Sequence, residues 1–135
     1  MQQKPLSMII AESIAQGILK DGPLAVLFAL CIGHAIADYP LQGKFLAIRK
    51  NRHIKSIDYT GDSPGSLWVY CLSAHALVHA CPVWLITGSS LLAFIEFVSH
   101  WLIDFAKCEK WTTFHIDQAL HIIVKLCFTA WICYA

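Results

Sequence analysis

Charge is scarce in this sequence. Of 135 residues, 14% are Asp, Glu, Lys or Arg and 57% are hydrophobic, whereas an ordinary soluble domain carries roughly 25% charged residues. So few charges cannot coat the water-facing surface of a domain this small, and so many apolar residues exclude a disordered chain. Ten basic residues against nine acidic ones leave a formal net charge of +1, so there is no global field to attract nucleic acid and none is expected as a partner. Other signals are missing too. The six cysteines, Cys31, Cys71, Cys81, Cys108, Cys127 and Cys133, include no C-x-x-C pair and sit mostly in apolar runs, so they read as reduced, packed side chains. The N-terminal stretch lacks the basic region and small-residue cleavage site of a secretory signal. There is no Gly-rich phosphate loop, nucleophile elbow or H-E-x-x-H motif.

What is present is a series of apolar segments. Residues 23–39, 67–87, 91–106 and 116–134 read as four transmembrane helices, the second and fourth close to the roughly 20 residues needed to cross a bilayer. Leu6, Ile10, Ile14 and Ile18 recur at four-residue steps, which predicts an amphipathic helix over 5–20 lying at the membrane interface. The fold class expected is therefore all-α, one integral membrane domain over 1–135, a four-helix bundle with an N-terminal interfacial helix. The stretch 42–66, with Lys44, Arg49, Lys50, Arg52 and Lys55, reads as a basic loop contacting anionic headgroups. Lys107 and Lys110 mark the loop before the last segment, and the loop at 88–90 has no charge. The positive-inside rule then places both basic loops on the cytoplasmic side of a membrane. The five tryptophans, at 68, 84, 101, 111 and 131, suit interfacial belts.

The ionisable residues inside the apolar segments are not scattered. His34 and Asp38, His75 and His79, Glu96 and His100, His100 and Asp104, and Asp117 and His121 are each four apart, so the members of each pair share one helix face. With Asp58 and Asp62 there are six such pairs among 16 His, Asp and Glu residues, where random placement would give roughly two. In an up-down bundle the pairs fall near one depth, the cytoplasmic half, with His75 and His79 somewhat deeper. Ionisable groups in hydrocarbon cost several kcal/mol each unless paired, and bundle cores are where facing helices assemble metal sites.

Imidazole and carboxylate with no thiolate suit a divalent transition metal, zinc first, with manganese or iron as alternatives. The candidate ligands are His34, Asp38, His75, His79, His100, Asp104, Asp117 and His121, enough for one or two ions. Such an ion with one open position lowers the pKa of bound water toward about 7. Glu96 is a candidate general base and also a candidate ion-pair partner of Lys125. Gln42, Lys107 and Gln118 are candidates for substrate contact or for supporting the ligands. His53 and His115 fall at boundaries and read as solvated.

These motifs, His34-xxx-Asp38-xxx-Gln42, His75-xxx-His79, His100-xxx-Asp104-xx-Lys107 and Asp117-Gln118-xx-His121, resemble a family of small bacterial and phage integral membrane proteins catalogued as a domain of unknown function. The resemblance covers residues 28–124. In size and in its helix-borne His and Asp pairs the chain is more loosely similar to membrane-bound metal-dependent hydrolases, which implies hydrolysis as a reaction class. The function expected is a membrane-embedded metal-dependent hydrolase acting on an ester or phosphoester of a lipid or other membrane-delivered substrate. The alternative is a non-catalytic membrane protein whose His and carboxylate pairs hold the bundle together. The oligomeric state does not follow from the sequence.

Overall fold

A computed structural model describes residues 13, 16–54 and 65–134. Most of the expected interfacial helix, and the Asp58–Asp62 pair, lie outside the described residues; residues 16–20 are helical. Five helices follow: α1 (Pro23–Asp38), α2 (Gly43–Arg49), α3 (Leu67–Thr87), α4 (Ser90–Cys108) and α5 (Phe114–Tyr134).

Local chemistry sets these boundaries. Pro23 opens α1 at its first turn, where a missing N–H costs nothing; Tyr39 N–H still donates to the Ala35 carbonyl, and Pro40, with no N–H to give, ends the ladder there. Gly43, at φ 60°, turns the chain into α2, which lies at 87° to α1. The stretch read as a loop over 42–66 therefore contains a seven-residue helix. Gly88, at φ 67°, closes α3 in the left-handed conformation, and the Ser89 hydroxyl accepts from Leu92 N–H to start α4 only two residues later. That short link makes α3 and α4 an antiparallel hairpin and the most extensive packing in the molecule. α1 packs on α3 and α5, and α4 on α5, so the four long helices close a ring; α2 rests on α3. At Gly33 the approach of α1 to α3 is so close that a Cβ there would lie 2.6 Å from the Cβ of Pro82.

The ring is apolar outside and polar within. Leu24, Phe28, Ile32 and Ile36 form an exposed stripe along α1, and Leu91, Phe94, Ile95, Val98 and Leu102 another along α4. The buried apolar core is small: Val26, Leu30, Val83, Leu92 and Phe128. The rest of the interior combines Leu72 and small residues such as Ala37, Cys71 and Ala76 with buried histidines, carboxylates and lysines.

The expectation of four transmembrane helices is corrected. Among the described residues, α3 and α5 are long and apolar enough to cross a membrane, with a third crossing only if α1 and α2 are counted as one bent span. α1 alone has 16 residues. α4 has the length, at 19 residues, but carries Glu96, Asp104 and Lys107, charges it directs to its neighbours rather than outward.

Candidate metal centre

Each four-residue pair is presented inward by its own helix. α1 supplies His34 and Asp38, α3 His75 and His79, α4 Glu96, His100 and Asp104, and α5 Asp117, His121 and Lys125; all are buried except Asp38, which is half-buried. The five imidazoles pack against one another. His79 and His100 stack with centroids 3.6 Å apart, His100 and His121 at 4.2 Å, and His34 lies 4.8 Å from His79 and 5.0 Å from His121.

Three sets of side chains bring ligand atoms within 4.8 Å of one another: His34, His79, Glu96 and His100; Asp38, His75, His79 and His100; and His100, Asp104 and His121. His100 belongs to all three. The second set is the best formed. Asp38 Oδ1 lies 3.5 Å from His75 Nε2 and 3.3 Å from His79 Nε2, and His75 Nε2 lies 3.3 Å from His100 Nε2. Ligands held about 2.0–2.1 Å from a central ion in a tetrahedron are separated by roughly 3.3–3.4 Å, so these spacings fit zinc-like coordination. Unmet hydrogen-bonding capacity points the same way. Both ring nitrogens of His34 and of His79, Nδ1 of His75 and of His100, and Oε2 of Glu96 are buried without a hydrogen-bond partner, a costly arrangement if nothing binds them; of the nitrogens facing the second set, His79 Nε2 is the one among them. The donor set fits a divalent transition metal.

Around this set, other residues orient and neutralise it. Glu96 Oε1 lies 3.4 Å from His100 Nδ1, the ring nitrogen opposite the one facing His75, and is ion-paired to Lys125. The carboxylate therefore stands beside the imidazole as a charge, without a hydrogen bond to it. The salt bridge weighed for Glu96 and Lys125 is therefore present, and Glu96 also stands within one of the three sets. Asp117 enters none of them. Lys107 Nζ donates to its Oδ2 at 2.8 Å and Gln118 Nε2 at 3.2 Å, and Gln118 also reaches Asp38 at 3.4 Å.

The sequence reading missed Lys50, taken there as part of a basic loop contacting anionic headgroups. It is buried, and its Nζ lies 2.5 Å from Asp104 Oδ2. With its amide turned so that the oxygen faces the lysine, Gln42 accepts from Nζ at 2.6 Å and donates to the Asp38 carbonyl at 3.1 Å. The segment carrying Lys50 is fastened across the bundle end. Cys108 donates to the Lys50 carbonyl, Arg52 pairs with Glu109 at 2.7 Å and lies over the Trp68 and Phe105 rings, and His53 Nε2 is 3.0 Å from Glu109. Hydrogen bonding, from Arg52 first and then His53, holds the Glu109 carboxyl below its ordinary value. The two basic loops thus meet at one end, as their charge suggested. His115 is exposed and outside the cluster. All six cysteines are free, and none belongs to a ligand set.

A model of the family described as "Protein of unknown function (DUF3307)" matches residues 26–134. No curated protein and no solved structure matches the chain.

Proposed function

Because this chain belongs to the DUF3307 family, whose description names no activity, we propose a function from the site itself: a membrane-embedded, metal-dependent hydrolase acting on an ester or phosphoester of a lipid or membrane-delivered substrate. The observation that carries this reading is the convergence of Asp38, His75, His79 and His100, whose ligand atoms lie within 4.8 Å of one another with three of the separations at 3.3–3.5 Å.

Membrane placement is supported by the inverted distribution of side chains. Large apolar residues cover the outside and titratable ones line the inside, the reverse of a water-soluble domain. Trp68, Trp101 and Trp111 fall toward the end carrying the basic loops, and Trp84 and Trp131 toward the other, as interfacial belts would. The basic end is the cytoplasmic one in this reading.

Asp38, His75, His79 and His100 would hold the ion, with zinc the best match to the donors and their spacing. When bound it would supply Lewis acidity and water activated for attack. Hydrolysis adds the water oxygen to the acyl carbon or phosphorus, breaks the bond to the alkoxy oxygen and delivers a proton to that oxygen. Glu96 would place negative charge on the Nδ1 side of His100, away from the nitrogen that would face the ion. Asp104 and His121 support the ligand layer from the other face of His100.

A scaffolding role has one observation in its favour: Lys125, Lys50 and Lys107 already pair with Glu96, Asp104 and Asp117. It leaves the unmet imidazole nitrogens unexplained. Elemental analysis of detergent-purified protein, with hydrolysis assays on chromogenic esters and phosphoesters, tests the proposal. It expects about one equivalent or more of a transition metal and an activity lost on chelation. Folded protein with no bound metal overturns it.

A further inference from the structure

We infer that α2 is an in-plane membrane anchor, seated together with the α4–α5 connection in the anionic headgroup layer at the basic end of the bundle; this rests on the membrane placement proposed above and not on the metal. α3 and α5 are the helices long and apolar enough to cross, and α1 packs against both. α2 leaves α1 at 87°, so it turns along the bilayer surface instead of continuing a span.

The same end gathers exposed apolar side chains from three segments. Tyr39 and Leu41 precede α2, Phe45 lies in it and Ile54 follows it, while Trp111 and Phe114 come from the α4–α5 connection; each is 47–74% exposed. Ion pairs bring these segments together: Lys50 with Asp104, Arg52 with Glu109, and Lys107 with Asp117. α2 itself has two faces. It rests on α3, and Lys50 at its C-terminus is buried, whereas Lys44 and Phe45 are exposed. A single exposed apolar residue means little, but such a gathering marks an interaction surface. Aromatic rings beside lysines suit the interfacial layer of a bilayer.

Charge identifies which surface it meets. Among the described residues the acids at this end are paired or covered: Asp104 and Asp117 are buried on Lys50 and Lys107, the Glu109 side chain is 9% exposed beside Arg52, and Asp38 is half-buried. Lys44 and Lys110 are exposed and stand in no ion pair with a described carboxylate. The outward face is therefore apolar and cationic together, complementary to anionic headgroups over an acyl layer. Each surface lysine adds about fivefold to such binding. A zwitterionic surface accepts the apolar side chains without that gain.

The test is hydrogen exchange of the full chain in nanodiscs of phosphatidylcholine alone and of phosphatidylcholine mixed with phosphatidylglycerol. Protection of residues 47–50, whose amides close α2, should rise about tenfold or more in the anionic discs, and the gain should shrink at high salt. Lys44→Glu combined with Lys110→Glu should abolish the gain, whereas Lys20→Glu, an exposed lysine before α1 at the other end of the bundle, should leave it. Phe45→Ser should lower protection in both kinds of disc. Protection of α3 and α5 in the same samples reports that each variant is folded and embedded. Equal protection of 47–50 in the two lipids, a gain that survives the double charge reversal, or no loss in Phe45→Ser overturns the anchor alone. A chain that does not enter the discs, or whose α3 and α5 amides exchange without protection there, overturns the membrane placement on which it rests.

Discussion

His75 Nε2 and His100 Nε2 face each other at 3.3 Å across α3 and α4. Two imidazole lone pairs at that distance repel, so the pair needs either a proton or a cation between them. Asp38 Oδ1, 3.5 Å from the His75 nitrogen and 3.3 Å from that of His79, and Asp104 Oδ2, 3.3 Å from the His75 nitrogen, supply negative charge at the same point, which suits a metal cation and an imidazole N–H alike.

His100 is common to all three candidate ligand sets, whereas His121 belongs to one. His100→Ala is expected to lower zinc affinity more than His121→Ala. Glu96→Gln, which leaves every imidazole in place, is expected to fall between wild type and His100→Ala, at about 10–100-fold below wild type. Competition with a chromogenic chelator measures all three; equal losses for His100→Ala and His121→Ala would contradict the shared role of His100.

The Glu96–Lys125 pair is sealed in the bundle, each side chain at most 2% exposed. Removing one partner strands a buried charge, so Lys125→Met should cost about 3–5 kcal/mol of stability, whereas the double substitution Glu96→Leu with Lys125→Met should recover most of it. Denaturant titration in mixed micelles gives the numbers. The double variant should still bind zinc more weakly than wild type, since His100 Nδ1 has lost its carboxylate.

Gly33 lies where α1 touches α3, and a Cβ there meets the Pro82 ring at 2.6 Å, a contact between two atoms that cannot swing aside. Gly33→Ala should destabilise by about 1–3 kcal/mol. Gly17, in the helical residues 16–20, has nothing near its would-be Cβ, so Gly17→Ala should be neutral or slightly stabilising. Parallel unfolding of the two variants tests whether close approach, rather than loss of glycine, sets the cost.

Glu109 anchors the segment carrying Arg52 and His53, and its carboxyl is held below the ordinary value of 4.5. A depressed carboxyl contributes stability that is present in full above the unfolded value and is lost as pH falls through the folded one. Protection of residues 50–53 against hydrogen exchange, after correction for intrinsic rates, should therefore fall as pH drops below about 4.5. Glu109→Gln should remove that dependence. The effect is small, as befits a pair near solvent.

The sequence by itself determined that the chain is helical, that its solvent-facing charge is too sparse for an aqueous surface, and that each helix presents a chemical pair on one face. These are local properties: hydrophobicity and the four-residue period are fixed within a single helix before any neighbour arrives. Tertiary structure decided which pairs meet. Asp117, identical in spacing logic to Asp38, went to Lys107 rather than to a ligand set, because its level in α5 is set by packing against α1 and α4 and not by its own pattern. Glu96 lies beside Nδ1 of His100 by the four-residue period alone, but its partner Lys125 comes from α5. Lys50 sits in a stretch whose composition matches any solvated basic loop. The 87° turn between α1 and α2 carries it over the bundle end to Asp104, 54 residues away in sequence, and a contact at that separation leaves no periodic trace from which it could be read.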